Sequence, residues 1–156
     1  LWSTVIMARG AREAGDVDAP TAPHLPDEDR TSICLGCGLC CDGTLFSHLG
    51  VVDEGDLGLP LSALGVTVIV EAEPPVFALP CPAFDGYCCT IHDLHRPRAC
   101  GWFECDVSTA VADGSMAWAE ARRVIDDTIA LRDRVRRGEA PEADLRAAVA
   151  THFRRG

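Results

Sequence analysis

Four cysteines lie within eight positions of this chain, in the segment ICLGCGLCCD of residues 33–42. Thiolates at C-x2-C spacing can point at one metal, and the extended C-x2-C-x2-C unit offers three thiolates from one loop. Gly36 and Gly38 suit such a loop, because turning a chain around a metal often requires positive φ. The segment predicts a metal-binding loop, with disulfides and thiol redox chemistry as alternatives. Its thiols are Cys34, Cys37, Cys40 and Cys41.

The last two of these cysteines are adjacent. A bacterial ferredoxin segment would instead continue with three residues and then Cys-Pro. Adjacent side chains of an extended segment point to opposite sides. We therefore expect Cys40 and Cys41 to serve different centres, or one of them not to be a ligand.

A second group of five cysteines lies in the segment LPCPAFDGYCCTIHDLHRPRACGWFEC of residues 79–105. Cys81 is held between Pro80 and Pro82, which stiffen its backbone. Arg96 and Arg98 are expected near the thiolates, because the net negative charge of a four-thiolate centre is costly in a dry interior. The segment therefore supplies the remaining ligands. Its thiols are Cys81, Cys88, Cys89, Cys100 and Cys105.

Eight of the nine cysteines form the expected metal-binding set: Cys34, Cys37, Cys40, Cys41, Cys81, Cys89, Cys100 and Cys105. Within that set Cys40 and Cys105 come second to the other six. Cys88 is favoured as a bystander. His92 and His95 could serve a zinc site, but a role in a loop or at a helix end is favoured for both. Two aromatic residues of the second segment are expected in the core around the site: Trp102 and Phe103.

Composition limits the classes of function. The chain has 156 residues, the size of one domain, and a formal net charge of −10, which argues against nucleic acid and anionic membranes as partners. No run approaches the roughly 20 apolar residues of a membrane span, and the opening LWSTVIM lacks the basic start and cleavage site of a signal peptide. A cytoplasmic protein is expected, where disulfides seldom persist. The odd number of cysteines also argues against a disulfide framework.

The remaining patterns predict a small α+β fold. Residues 44–52 can form a strand, residues 54–65 a turn with a short helix, and residues 66–70 and 75–79 a hairpin. Ser115 is the predicted cap of a long helix that ends at Gly138, and a second helix is predicted over 142–153. The long helix has an apolar stripe, and its arginines and acids are expected on a solvated face. The stripe consists of Trp118, Ala121, Ile125, Ile129 and Val135.

Three parts follow from these patterns. Residues 1–30 are predicted to be a disordered leader, since Ala, Pro, Gly and acids dominate them without periodicity. Residues 31–106 form the predicted cysteine-cluster metal-binding domain, with an irregular cysteine-rich core and a short β-hairpin. Residues 107–156 form C-terminal α-helices packed on it.

With these residues in view, the sequence resembles the YkgJ-like cysteine-cluster family of zinc- or iron-chelating proteins. The family pattern is C-x2-C-x2-C-C, followed by Pro-Cys-Pro, by Cys-[Ser/Thr]-Ile-Tyr and by Arg-Pro-x-x-Cys. The resemblance covers about residues 33–106, and the CCDGTLF run with the trailing Cys105 is similar to one bacterial subgroup. Because it combines several ordered elements, it is specific. The matching elements are Cys34–Cys41, Pro80–Pro82, Cys89–His92 and Arg96–Cys100.

The sequence departs from that family pattern at two positions. His92 stands where the family has Tyr, and Gly101 where Arg commonly follows the last cysteine. Neither departure removes a thiol, so the resemblance still implies metal chelation, with a packing or hydrogen-bonding role for His92. Some longer relatives are flagellin lysine N-methylases that use S-adenosylmethionine. This chain is short and lacks a glycine-rich nucleotide loop, so that activity is not carried over.

Three functions are compatible with this sequence. The first is a metal-chelating domain that acts alone or on a protein partner, and its loop with distant single cysteines favours an iron–sulfur cluster over Zn²⁺. The second is an iron–sulfur-dependent transferase or redox enzyme, which would need an open coordination position. The third is a thiol-redox or metal-trafficking protein with labile metal and reversible disulfides.

Overall fold

The computed structural model describes residues 33–154, so the predicted leader lies outside the described residues. The order of elements confirms a small α+β fold. None of the described helices has both the length and the apolar character needed to cross a membrane. The elements are β1 (His48–Gly50), two 3₁₀ helices (Glu54–Leu57 and Leu61–Leu64), β2 (Val68–Ile69), β3 (Val76–Ala78), α1 (Arg98–Trp102), α2 (Asp106–Ala112), α3 (Trp118–Arg136) and α4 (Glu142–His152).

The three strands form an antiparallel sheet with β3 in the centre. Leu49 of β1 and Val68 of β2 both lie opposite Phe77 of β3, and Phe77 is fully buried. An aromatic residue flanked by aliphatic cross-strand neighbours is a favourable arrangement for a small sheet. The predicted strand in 44–52 and the predicted hairpin of 66–70 and 75–79 are confirmed, with shorter paired segments than predicted.

The two 3₁₀ helices replace the single short helix predicted in residues 54–65. Asp53 begins the first of them, and its carboxylate accepts a hydrogen bond from the Gly55 N–H at 2.9 Å. Asp56 is buried within it, and its carboxylate accepts the Val52 N–H at 2.7 Å. Two acidic residues therefore organise the connection between β1 and β2.

The long helix α3 begins later than predicted. Ala117, in an extended conformation, is its N-cap residue and makes no side-chain cap. Ser115 lies in the turn after α2, where its hydroxyl donates to the Ala110 carbonyl at 3.3 Å; the prediction of Ser115 as the cap of α3 is therefore wrong. At the other end Gly138 has φ of 74° and donates its N–H to the Val135 carbonyl at 2.9 Å, as predicted.

The main core joins the cysteine loop to the C-terminal helices. Ala121 and Ile125 of the predicted stripe are fully buried. Thr128 takes the next buried position of α3, with its hydroxyl donating to the Val124 carbonyl at 2.7 Å. The helix α4 ends one residue before the predicted Phe153. This core cluster consists of Ile33, Leu39, Leu45, Val107, Ala121, Ile125, Val149 and Phe153.

A buried carboxylate anchors the end of the cysteine loop to α3. Arg132 Nη1 donates to Asp42 Oδ2 at 2.5 Å, and Arg136 Nη2 donates to the same oxygen at 3.3 Å. The other oxygen of Asp42 accepts the Thr44 N–H at 2.8 Å. The Arg132 side chain is only 11% exposed. The prediction of a solvated face is therefore wrong for this arginine.

We expect Asp42→Asn to lower the free energy of unfolding by about 2 kcal/mol, because it removes the buried carboxylate that faces Arg132 and Arg136 and leaves Arg132 only its ion pair with the more exposed Asp133. Urea denaturation at neutral pH measures this. Glu142→Gln is the control, since Glu142 pairs with Arg146 on the exposed surface of α4 at 3.5 Å, where such pairs contribute about 0–1 kcal/mol. Equal losses in the two variants would contradict the anchoring role.

Candidate metal centre

The loop of residues 34–41 is a series of turns that face inward. The Cys37 N–H donates to the Cys34 carbonyl at 3.0 Å, and the Asp42 N–H donates to the Gly38 carbonyl at 2.9 Å. Gly36 and Gly38 have φ of 82° and 70°, which confirms the positive φ predicted for both. A left-handed backbone at these positions is accessible to glycine without strain.

Gly38 is required for a second reason. A Cβ added at this position would lie closer to the Phe84 ring than real Cβ contacts allow. Phe84 belongs to the second cysteine segment and forms an isolated antiparallel bridge with Cys89. The loop backbone therefore lies directly against the segment that carries the more distant thiols.

One pocket of about 100 Å³ lies between these two segments, and eight of the nine cysteines line it. None of the nine, all within the described residues, is joined in a disulfide. The structure thus brings together every thiol of the set predicted from the sequence. The lining cysteines are Cys34, Cys37, Cys40, Cys41, Cys81, Cys89, Cys100 and Cys105.

The ninth cysteine, Cys88, faces the carboxylate of Asp85. The thiol of Cys88 lies 3.7 Å from Asp85 Oδ2, and its N–H donates to Asp85 Oδ1 at 2.8 Å. Cys88 does not line the pocket. Its neighbour Cys89 does, because the bridge to Phe84 turns these adjacent side chains to different sides.

The thiols surround the pocket but do not converge on one point. Among residues 33–154, no three side chains of the His, Cys, Asp or Glu types lie close enough together to hold a single metal ion. The pocket volume of about 100 Å³ is several times the ~10–15 Å³ that one water needs. The arrangement has room for a group larger than one ion.

Different elements position the later thiols. The Cys81 N–H donates to the Cys41 carbonyl at 2.7 Å, which fixes the two segments to each other. Cys100 lies in α1, directly after the turn set by Pro97. Cys105 is the N-cap residue of α2, where its sulfur accepts the Ser108 N–H at 3.4 Å. The sequence did not predict α1 or α2, because both are short, with five and seven residues.

Burial dominates the electrostatics of these thiols. It raises the pKa of Cys37 and of Cys41 to about 12 and that of Cys100 to about 11, with further increases from neighbouring thiolates. Burial also raises the pKa of Cys40 well above the usual range of a thiol. Without a bound cation these groups therefore carry their protons at neutral pH.

Backbone N–H groups face several of the sulfurs. Hydrogen bonds from Leu39 to Cys37 and from Ala83 to Cys81 oppose the effect of burial on the pKa of each thiol. The Ser108 N–H acts in the same way on Cys105. Such donors stabilise a thiolate and are arranged before any metal binds.

The two arginines predicted near the thiolates have different positions. Arg96 lines the pocket, and its charge lowers the pKa of Cys100 against the larger effect of burial. Arg98 instead forms ion pairs with Asp53 and Asp56. The prediction is therefore wrong for Arg98, because the two carboxylates of the first 3₁₀ helix bind its guanidinium.

The sequence analysis missed Arg122 of α3. Its Nη1 donates to the Gly36 carbonyl at 3.1 Å, and its charge lowers the pKa of the Cys37 thiol against the effect of burial. Helical periodicity places Arg122 beside the buried Ala121, at the border of the apolar stripe. That position was the only sequence signal for its inward-facing role.

The aromatic and histidine side chains differ in their relation to the pocket. His92 lines it, with its ring hydrogen-bonded to Asp93 at 2.9 Å, while His95 donates to the Gly55 carbonyl at 2.5 Å. Phe103 lines the pocket and packs edge-on against Phe46, with centroids 4.6 Å apart, but it is 36% exposed, so its predicted core position is wrong. Trp102 is 67% exposed, so its predicted core position is wrong.

Comparison of the chain with protein-family models, with curated proteins and with solved structures returns no match.

We expect Gly38→Ala to destabilise the protein more than Gly65→Ala. Both positions have positive φ, 70° and 78°, but only at Gly38 would the added methyl meet the Phe84 ring, since Gly65 faces open space. The strained φ costs about 1–2 kcal/mol in each variant, and overpacking adds about 1–3 kcal/mol at Gly38. Thermal and urea unfolding measure the difference. Indistinguishable unfolding of the two variants would argue against the close contact of the segments.

Proposed function

We propose that this protein binds a metal through cysteine thiolates and holds an iron–sulfur cluster, with Zn²⁺ as the alternative. One observation carries this proposal: eight of the nine cysteines line one pocket, while Cys88 faces Asp85. Burial of thiols for packing alone would not separate Cys88 from Cys89 in this way. The set gathers thiols from distant parts of the chain around one space.

The chemistry of the lining supports a soft, thiolate-binding metal. Among the described residues no Asp or Glu side chain lines the pocket, whereas Ca²⁺ and Mg²⁺ require oxygen ligands. Thiolates select zinc, copper(I) and iron–sulfur clusters. Arg96 and Arg122 lie where they would offset the negative charge of bound thiolates.

The spacing of the thiols favours a cluster over zinc. Four thiolates at about 2.3 Å from one Zn²⁺ lie within about 3.8 Å of one another in a tetrahedron. Thiolates around a four-iron cluster bind different irons and stand farther apart. Separated thiols lining a pocket of about 100 Å³ suit the second arrangement better than the first. A cluster bound there would supply electron transfer or, with an open iron, Lewis-acid chemistry.

The resemblance to the YkgJ-like family supports the same proposal, because every thiol of the family pattern in this chain lines the pocket. We propose membership of that family on these residues. The same thiols would serve a structural domain, a redox enzyme or a metal-trafficking protein. These roles differ in how readily the metal leaves.

The metal is tested on protein purified without oxygen, by iron, zinc and acid-labile sulfide analysis with an absorption spectrum. We expect iron with stoichiometric sulfide and broad absorption toward the blue. Zinc without sulfide would identify the alternative metal. Protein without metal, with its thiols paired in disulfides, would overturn the proposal.

Cys88→Ser and Cys89→Ser are matched variants of adjacent residues. We expect Cys89→Ser to lose metal, because Cys89 lines the pocket, and Cys88→Ser to retain the full content, because Cys88 faces Asp85. Metal content per chain after anaerobic purification measures this. Equal losses, or a loss in Cys88→Ser alone, would contradict the assignment of the ligands.

The metal-free, reduced protein should lose stability in alkali. An unfolded chain releases thiol protons near pKa 9.0, whereas the folded chain retains those of Cys37 and Cys41 up to about 12, because burial raises their pKa. Between these values the unfolded state binds fewer protons, so the free energy of unfolding falls as pH rises. This part of the stability is fully present below pH 9.0.

Urea denaturation with reductant and chelator, at about pH 7 and about pH 10, measures that fall. Cys37→Ser is the control, because it removes one of the buried thiols and should show a smaller decrease. A free energy of unfolding that does not change with pH would show that these thiols are not buried in the metal-free protein.

A further inference from the structure

The thiols around the pocket pack against two different hydrophobic cores. Cys37, Cys40 and Cys105 pack against the main core beneath α3 and α4. Cys81 and Cys89 pack against a second, smaller core. The smaller core is formed by Leu61, Ala83 and Ile91.

The backbone contacts follow the same division. Cys34 is joined to Cys37 by the hydrogen bond within the loop, at 3.0 Å. Cys81 is instead joined to Cys41, whose carbonyl accepts its N–H at 2.7 Å. The main chain therefore places the loop thiols in two groups, which separate between the adjacent residues Cys40 and Cys41.

The mutual electrostatic effects of the thiols give the same two groups. The three thiols that act most strongly on Cys41 are Cys89, Cys81 and Cys100. Among the thiols, Cys37 raises the pKa of Cys40 most strongly, followed by the adjacent Cys41 and then by Cys105 and Cys34, so the adjacent pair Cys40 and Cys41 crosses the division.

The last two cysteines of the second segment follow this division too. Cys81 and Cys89 raise the pKa of the Cys100 thiol. Cys34 raises the pKa of the Cys105 thiol. Cys100 therefore belongs to the group of Cys41, and Cys105 to the group of Cys34.

Each group also has one arginine. The charge of Arg122 lowers the pKa of Cys37, which belongs to the group that packs on the main core. The charge of Arg96 lowers the pKa of Cys100, which belongs to the other group. Two four-thiolate centres would each need a cation nearby to offset their negative charge, and the structure supplies one to each.

We infer that the pocket holds two separate metal centres, each bound by four thiols, which must move closer together than they lie in this structure. The first consists of Cys34, Cys37, Cys40 and Cys105, and the second of Cys41, Cys81, Cys89 and Cys100. This inference rests on the proposed function, which is metal binding by these thiols. They also explain why eight lining thiols, twice the number that one zinc or one four-iron cluster takes, surround one pocket.

Metal content of substituted proteins tests this inference. Cys105→Ala removes a ligand of the first centre and Cys100→Ala a ligand of the second, and the double variant removes one from each. Cys88→Ala is the control. After anaerobic reconstitution with iron and sulfide, or with zinc, we expect each single variant to hold half the metal of the unmodified protein. The double variant should hold almost none and the control the full amount.

Native mass spectrometry of the unmodified protein counts the centres even if a variant fails to fold, and two per chain are expected. One centre per chain would overturn the inference and leave the proposed function standing. Loss of all metal in one single variant, with none lost in the other, would overturn it in the same way. No metal in either the unmodified protein or the Cys88→Ala control would overturn both.

Discussion

The ion pair between Asp42 and the arginines of α3 is the contact on which the cysteine loop depends. The loop has no helix or strand of its own, and only turn hydrogen bonds hold it internally. Arg132 and Arg136 fix the residue that follows its last thiol, while Leu39 fills the main core from its middle. The C-terminal helices therefore determine where the loop thiols lie, although α3 and α4 carry no cysteine.

The buried thiols impose a second constraint, which links stability to metal binding. Without metal they remain protonated, because burial raises the pKa of Cys37 and Cys41 to about 12. A bound metal would replace those protons, and the energy of binding would add to that of folding. Backbone N–H groups and two arginines already face the sulfurs, so the groups that would offset the charge of the thiolates need little reorganisation. The pocket is thus compatible with a folded metal-free state and, under the proposed function, with a charged, metal-bound one.

Spacing and the family resemblance together predicted which thiols line the pocket. The C-x2-C-x2-C unit, the Pro-flanked Cys81 and the distinction between Cys88 and Cys89 depend on local geometry, where turn and strand periodicity decide the direction of a side chain. The arginines were harder to predict, because a guanidinium binds whichever carboxylate or carbonyl lies near it in space. Asp53 and Asp56 bind Arg98, and Arg122 reaches the loop from a helix 86 positions away.

The sequence by itself determined the α+β class, the hairpin, the two long helices and the eight thiols, since each depends on residue types and short spacings. The tertiary structure alone decided how those thiols are divided. Whether Cys40 lies with Cys105 and Cys41 with Cys81 depends on two hydrophobic cores, which form from residues far apart in the chain. The same packing brings α3 over the loop and excludes Trp102 from the core. Long-range packing of this kind has no local signature, because it depends on which apolar surfaces meet when the chain closes.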